Sequence, residues 1–97
     1  MIVRWSENAE NNLDDIYDYI AQDSIRYAQE TVDRLTGCSG QIGSFPYSGR
    51  EVPEYSMNDL REIIEPPYRV IYYINSDFIE VLTVVHSAQK LDKIQKH

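Results

Sequence analysis

Cysteine is nearly absent from this 97-residue chain, and Cys38 has no second thiol to pair with. An internal disulfide is therefore excluded, and the default reading is a small buried apolar residue in a reducing compartment. Histidine is almost as scarce. One cysteine with His86 and the distant His97 gives no metal-ligand spacing, so no metal is expected. Glycine-rich phosphate loops and nucleophile elbows are missing too, and no cofactor is expected. The longest apolar stretch, around Val81 to Val85, has the length of a strand and is far too short to span a bilayer. The first residues, Met1-Ile2-Val3-Arg4-Trp5-Ser6-Glu7, lack a basic-then-apolar signal pattern, so a cytoplasmic protein is expected.

Positive charge is also in short supply. Nine Lys and Arg face sixteen Asp and Glu, a net charge of −7. A protein that grips nucleic acid through its phosphates needs concentrated cations. Here Glu7, Glu10, Asp14, Asp15, Asp18 and Asp23 follow one another with no basic residue among them, whereas Lys90, Lys93 and Lys96 face only Asp92 near the end. Any nucleic-acid contact would have to use the C-terminal half.

What the chain does contain is an ordinary globular composition, 42% hydrophobic and 26% charged. Residues 1–97 are expected to form a single domain around one modest core. Ile2 to Trp5 reads as a short strand. Ser6 can cap a helix whose stripe is Ala9, Leu13, Ile16, Tyr17 and Ile20, ending near Gln22. Asp23 or Ser24 recaps the chain for a second helix carrying Ile25, Ala28, Val32, Leu35 and Ile42, with Ser39 at the skipped position. Gly37, Gly40 and Gly43 weaken the end of that helix, which either frays or packs close against a backbone. Residues 46–59 form a loop. Leu60 to Glu65, Tyr68 to Ile74 and Phe78 to Val85 read as three strands, separated by Pro66-Pro67 and by an Asn75-Ser76-Asp77 turn. Leu91 and Ile94 suggest a short terminal helix. The order β-α-α-β-β-β predicts an α+β fold with a helical hairpin packed on one face of a small, mainly antiparallel sheet.

Simple alternation places Arg69, Ile71 and Tyr73 on one face, and Tyr68, Val70, Tyr72 and Ile74 on the other. The same rule gives Glu80, Leu82, Val84 and His86 a common face. An arginine in an apolar strand must reach solvent or a partner. Two readings stay open for Arg61 and Arg69. They line a cationic site on the face away from the helices, or they pair with Glu62, Glu65 or Glu80 as structural bridges. His86 is either a proton-transfer group or a residue at the edge of the core. Glu54 is either a base or a solvated loop carboxylate. Arginines with a histidine would suit RNA cleavage, supplying cations for the developing phosphorane charge and a proton donor. Eight tyrosines are an excess. Tyr17, Tyr19, Tyr27, Tyr68 and Tyr72 fall within helical or strand patterns and are expected to pack.

Trp5, Pro46-Tyr47-Ser48-Gly49-Arg50, Leu60-Arg61-Glu62, Tyr68-Arg69 and Val84-Val85-His86 occur in an order and spacing that resemble the RelE/ParE superfamily, the toxins of type II toxin–antitoxin systems. The resemblance covers nearly the whole chain and implies a growth inhibitor neutralised by a cognate antitoxin, with which it forms a hetero-oligomer. RelE-like members cut ribosome-bound mRNA; by resemblance the catalytic positions here are Arg61, Arg69 and His86. ParE-like members inhibit DNA gyrase by binding it. The family commonly has arginine just after the histidine, but this chain has Ser87-Ala88-Gln89 before the next cation, Lys90. Lysine lacks the planar fork of arginine. That departure, with the acidity, leans the expectation toward gyrase. A toxin fold with weak or lost activity is the further alternative.

Overall fold

The computed structural model describes residues 1–89 and 91. Its elements are β1 (Ile2–Trp5), α1 (Glu7–Ala21), α2 (Ile25–Ser44), a 3-10 turn (Pro46–Ser48), β2 (Arg50–Glu51), β3 (Leu60–Glu65), β4 (Tyr68–Ile74) and β5 (Phe78–His86). The helices begin where serine can satisfy their free amides. Ser6 Oγ accepts from the Ala9 N–H at 3.0 Å and Ser24 Oγ from the Tyr27 N–H at 3.0 Å. Glu7 and Glu10 occupy the first turn of α1, where the helix dipole favours acids.

The five strands form one sheet in the order β1-β5-β4-β3-β2. β1 runs parallel to β5, and the other pairs are antiparallel. The α+β expectation holds, with two helices packed on a mostly antiparallel sheet. The structure adds β2, a two-residue strand within the expected 46–59 loop, where Arg50 pairs with Glu62 and Glu51 with Arg61. Between the hairpin and the sheet lies a core of Ala9, Leu13, Leu35, Ile42, Tyr72 and Val81 with their neighbours. Val52, Leu60, Ile71 and Leu82 form a smaller cluster on the outer face, joined by Tyr55, Tyr73, Val85 and Leu91.

In α2 the buried positions are Ala28, Thr31, Leu35, Cys38 and Ile42. This corrects the expected stripe: Thr31 and Cys38 replace Val32 and Ser39, and Ile25 is exposed. Ser39 instead accepts from the Trp5 indole N–H at 2.9 Å. The C-terminal end of α2 stays helical and packs on the first strand. A Cβ on Gly43 would stand 3.0 Å from the Met1 carbonyl oxygen, and the Met1 ammonium donates to the Gly43 carbonyl at 2.8 Å. Tyr19 and Tyr27 are 74% and 52% exposed, contrary to the packing expected of them. At 100° per residue, Tyr19 lies about 80° around the helix from Ala9, off the buried stripe. The expected terminal helix depends on Ile94, which lies outside the described residues. Among the described residues no helix is long and apolar enough to cross a membrane.

The largest departure from simple alternation is a bulge in β5. Ile71 pairs with Thr83 but Tyr72 pairs with Val81, so Leu82 is the extra residue. Ile79, Val81 and Val84 therefore face the helices, while Leu82 and Val85 face outward. The expected common face of Glu80, Leu82, Val84 and His86 does not exist, because an inserted residue inverts the phase of every side chain beyond it. Helix α1 satisfies the backbone there. Ser6 Oγ and Asn8 Nδ2 both donate to the Leu82 carbonyl at 3.0 Å, and Asn12 Oδ1 accepts from the Val84 N–H at 3.0 Å.

Candidate functional site

Arg69 is the centre of an ionic cluster on the outer face. It lies mid-sheet on β4, only 5% exposed, and all three of its guanidinium nitrogens donate hydrogen bonds. Nε donates to Glu62 Oε1 at 2.8 Å, and Nη2 lies 2.6 Å from the same oxygen. Nη1 and Nη2 form a fork on Glu54, at 3.0 Å to Oε2 and 2.8 Å to Oε1. Nη1 also reaches the Gln89 carbonyl at 3.4 Å. Glu62 is itself fully buried and accepts from Arg50 Nε through Oε2. Glu54 accepts in addition from the Leu91 N–H at 3.3 Å.

The cluster is electrically closed, with Arg50 and Arg69 facing Glu54 and Glu62. A buried charge without a partner is strongly unfavourable, and this geometry leaves none. The hydrogen bonds from Arg69 hold the Glu54 carboxyl down at about 2, against an ordinary 4.5. Reciprocally, Glu54 and then Glu62 raise the Arg69 pKa further above its already high value. Glu54 is thus not a free base: it is an exposed loop carboxylate that forms the outer jaw of a clamp on Arg69. Beyond it, the same clamp holds the backbone at Gln89 and Leu91, where the chain leaves β5.

Arg61 and His86 do not join this cluster. Arg61 pairs in register with Tyr72, on the helix-facing side of β3. Its guanidinium lies over the Tyr47 ring, 5.0 Å from the centroid, and donates to the Asn58 carbonyl at 2.8 Å, Asn58 Oδ1 at 2.9 Å and the Gly49 carbonyl at 3.0 Å. Glu51 lies 3.9 Å away. Gly49, whose carbonyl Arg61 holds, is packed closely against β3 and β4. A Cβ there would fall 2.5 Å from the Glu62 carbonyl oxygen and 2.6 Å from the Tyr72 hydroxyl. The Tyr72 hydroxyl in turn donates to the Pro46 carbonyl at 2.6 Å and accepts from the Gly49 N–H at 3.2 Å.

His86 is exposed at the end of β5, opposite Tyr68 in register, and the two rings meet edge to face at 5.9 Å. Its Nδ1 accepts from the Ala88 N–H at 3.2 Å, which leaves Nε2 to carry the proton in the neutral ring. The bulge at Leu82 is what turns His86 to the side of Tyr68 and away from Arg69. Arg61, Arg69 and His86 therefore occupy three separate settings, and only Arg69 is on the outer face. Arg50 and Glu62 complete its setting. Glu62 was readable as a pairing partner from its place in β3, but the role of Arg50 depends on β2, which nothing in the loop composition announced.

A helical hairpin on one face of a five-stranded sheet, with the arginine turn and arginine strands in this order, defines a RelE/ParE superfamily toxin. The profile of the family described as ParE toxin of type II toxin-antitoxin system, parDE, matches residues 3–91, and the chain belongs to that family. The curated protein Y4kP of Sinorhizobium fredii is 32% identical over 92 residues, covering 95% of this chain and 94% of that protein. Among solved structures, the fold resembles the chromosomal ParDE toxin–antitoxin system of P. aeruginosa, with a TM-score of 0.73 at 20% identity, over 89% of this chain and 95% of that one. It also resembles the toxin–antitoxin complex RelBE2 of Mycobacterium tuberculosis, with a TM-score of 0.58 at 19% identity, over 91% and 92% of the two chains.

Proposed function

We propose that this toxin acts in the cytoplasm by binding DNA gyrase and blocking it without turnover, and that a cognate antitoxin neutralises it. The observation that supports binding over RNA cleavage is the closed state of Arg69. A scissile phosphate would have to displace the Glu54 carboxylate from a bidentate fork while Glu62 holds the other side. Arg61 is committed to Tyr47, Gly49 and Asn58, and His86 stands on the opposite face from Arg69. Cleavage needs a proton-transfer group and cations converging on one phosphate, and these residues do not converge. In this reading Arg61, Arg69 and His86 are structural. The net charge of −7 further disfavours a polyanionic substrate.

The test is expression of the chain with and without the product of its adjacent gene, with mRNA decay followed beside gyrase supercoiling. Loss of supercoiling with intact mRNA is expected, relieved by the neighbouring product. Ribosome-dependent mRNA cuts that vanish in His86→Ala or Arg61→Ala would replace this reading with the RelE-like one. A chain with no effect on growth would leave only the fold with lost activity.

A further inference from the structure

The outer face of the sheet is covered on one side only. Val52 and Tyr55 of the loop and Leu91 of the tail pack there with Leu60, Ile71 and Leu82. The strip formed by β1 and the start of β5 has no such cover. Val3 and Trp5 pack toward the helices, as do Ile79 and Val81, so Ile2, Arg4, Phe78 and Glu80 point the other way. Ile2 is 66% exposed, Arg4 is exposed, and Phe78 and Glu80 are half-buried. Register sets Ile2 beside Phe78 and Arg4 beside Glu80. Arg4 and Glu80 are neighbours that do not pair. The Arg4 guanidinium lies instead over the Phe78 ring, 4.4 Å from its centroid. Arg26, Arg34, Arg50, Arg61 and Arg69 each face a carboxylate, but among the described residues neither Arg4 nor Glu80 has a salt-bridge partner.

We propose that this strip is the contact between two copies of the chain, stacked face to face about a two-fold axis. Charge identifies the occupant. With one unpaired charge of each sign beside two apolar side chains, the strip has no net charge to select a polyanion or a basic segment, and it complements itself. An isologous contact needs that property, since each residue must meet what its own neighbour offers. An axis running along the strands, between β1 and β5, keeps height along the strands and exchanges left with right. Because Arg4 and Glu80 are in register, Arg4 of each copy then lies over Glu80 of the other, and Ile2 over Phe78. The same rotation sends the remaining strands of the two copies to opposite sides, so the loop around Val52 and Tyr55 does not obstruct the stack. Sheets pack face to face about 10 Å apart, a gap that arginine and phenylalanine side chains fill.

The experiment is sedimentation equilibrium of the purified chain from micromolar to millimolar concentration, as wild type, Arg4→Glu, Glu80→Arg, the two single variants mixed, and the double variant. Thermal melting checks that each folds. The wild-type mass is expected to rise from 11.3 kDa toward twice that value, with weak affinity because the strip is small for an interface. Each single variant sets like charges against one another across the axis, so its association should weaken at least ~10-fold, most at low salt. Mixing the two brings opposite charges together at both contacts, and the mixture should associate where neither variant does alone. The double variant should recover for the same reason. A wild type that stays monomeric throughout overturns the proposal, as do single variants that associate like wild type. Failure of both the mixture and the double variant to recover overturns it too. If Arg4→Glu weakens growth inhibition while the wild type is monomeric, the strip belongs to the target instead. Should a charge variant not fold, Ile2→Ser at the exposed end of the strip takes its place, and an unchanged dimer in that variant overturns the proposal.

Discussion

Asn12 reaches from α1 into the sheet and accepts the Val84 N–H at 3.0 Å, beside the Thr83 hydroxyl at 2.8 Å. One amide oxygen thus serves the backbone just beyond the bulge at Leu82. Asn12→Leu keeps the size of the side chain but leaves that N–H without an acceptor. A loss of ~1–3 kcal/mol in urea denaturation is expected, the usual cost of stranding a half-buried backbone group. An unchanged midpoint would show that the bulge does not depend on α1.

Glu62 is fully buried between Arg50 and Arg69. Glu62→Gln removes the charge that both guanidiniums face, and Arg69 is the one that cannot reach water. Destabilisation of ~3–5 kcal/mol is expected, as when one partner of a buried pair is removed. Glu80→Gln, at a half-buried position outside the cluster, serves as the comparison. Equal small effects from both would mean that Glu62 is replaceable by any polar side chain.

Glu54 gives the cluster a pH signature. Its folded pKa is depressed from 4.5 to about 2, so its contribution to stability is fully present above 4.5 and is lost as pH falls toward about 2. In that window Glu54→Gln should show a flatter dependence of stability on pH than wild type. Parallel curves for the two proteins would mean that the Arg69 fork does not hold the carboxylate in solution.

Gly49→Ala forces a methyl group against the Glu62 carbonyl oxygen and the Tyr72 hydroxyl, at 2.5 and 2.6 Å. The φ of −75° is open to alanine, so the conflict is one of space and not of backbone conformation. Overpacking of this kind costs ~1–3 kcal/mol. The drop should appear in the thermal midpoint, while Gly37→Ala, with no heavy atom within 4 Å, should be neutral or stabilising.

His86 tests the assignment of roles without a stability argument. It is exposed and touches Tyr68 edge-on, so His86→Ala should leave growth inhibition at the wild-type level. A growth-inhibition defect with normal folding would return His86 to the chemistry.

The helical half of the fold was legible because its signals are local. Ser6 and Ser24 are strong caps, and Leu13, Leu35 and Ile42 repeat with helical period. The Asn75-Ser76-Asp77 turn was legible for the same reason. The faces of the strands were not. Val81-Leu82-Thr83-Val84-Val85 is apolar in both phases of an alternating pattern, so its sequence does not reveal a bulge. Leu60 and Ile64 sit in one phase of β3 and Ile63 in the other, so Arg61 could be placed on either face. Site geometry followed those ambiguities. Val70, Tyr72 and Ile74 fix the phase of β4 and with it the outward face of Arg69, whereas Arg61 and His86 lie on strands whose phase the sequence does not reveal.

The parallel pairing of β1 with β5 joins Ile2 to Phe78 and Trp5 to Val81. During synthesis the chain emerges N-terminal side first, so β1 must wait for β5 before it has a neighbour. Until residues 78–86 leave the ribosome, Ala9, Leu13, Leu35 and Ile42 have no complete sheet to close over them. The pairing is also of high contact order, which slows its formation once the chain is free. A toxin built this way closes its core only once β5 has been made, and a nascent chain cut short before β5 lacks the strand on which β1 and the hairpin are assembled.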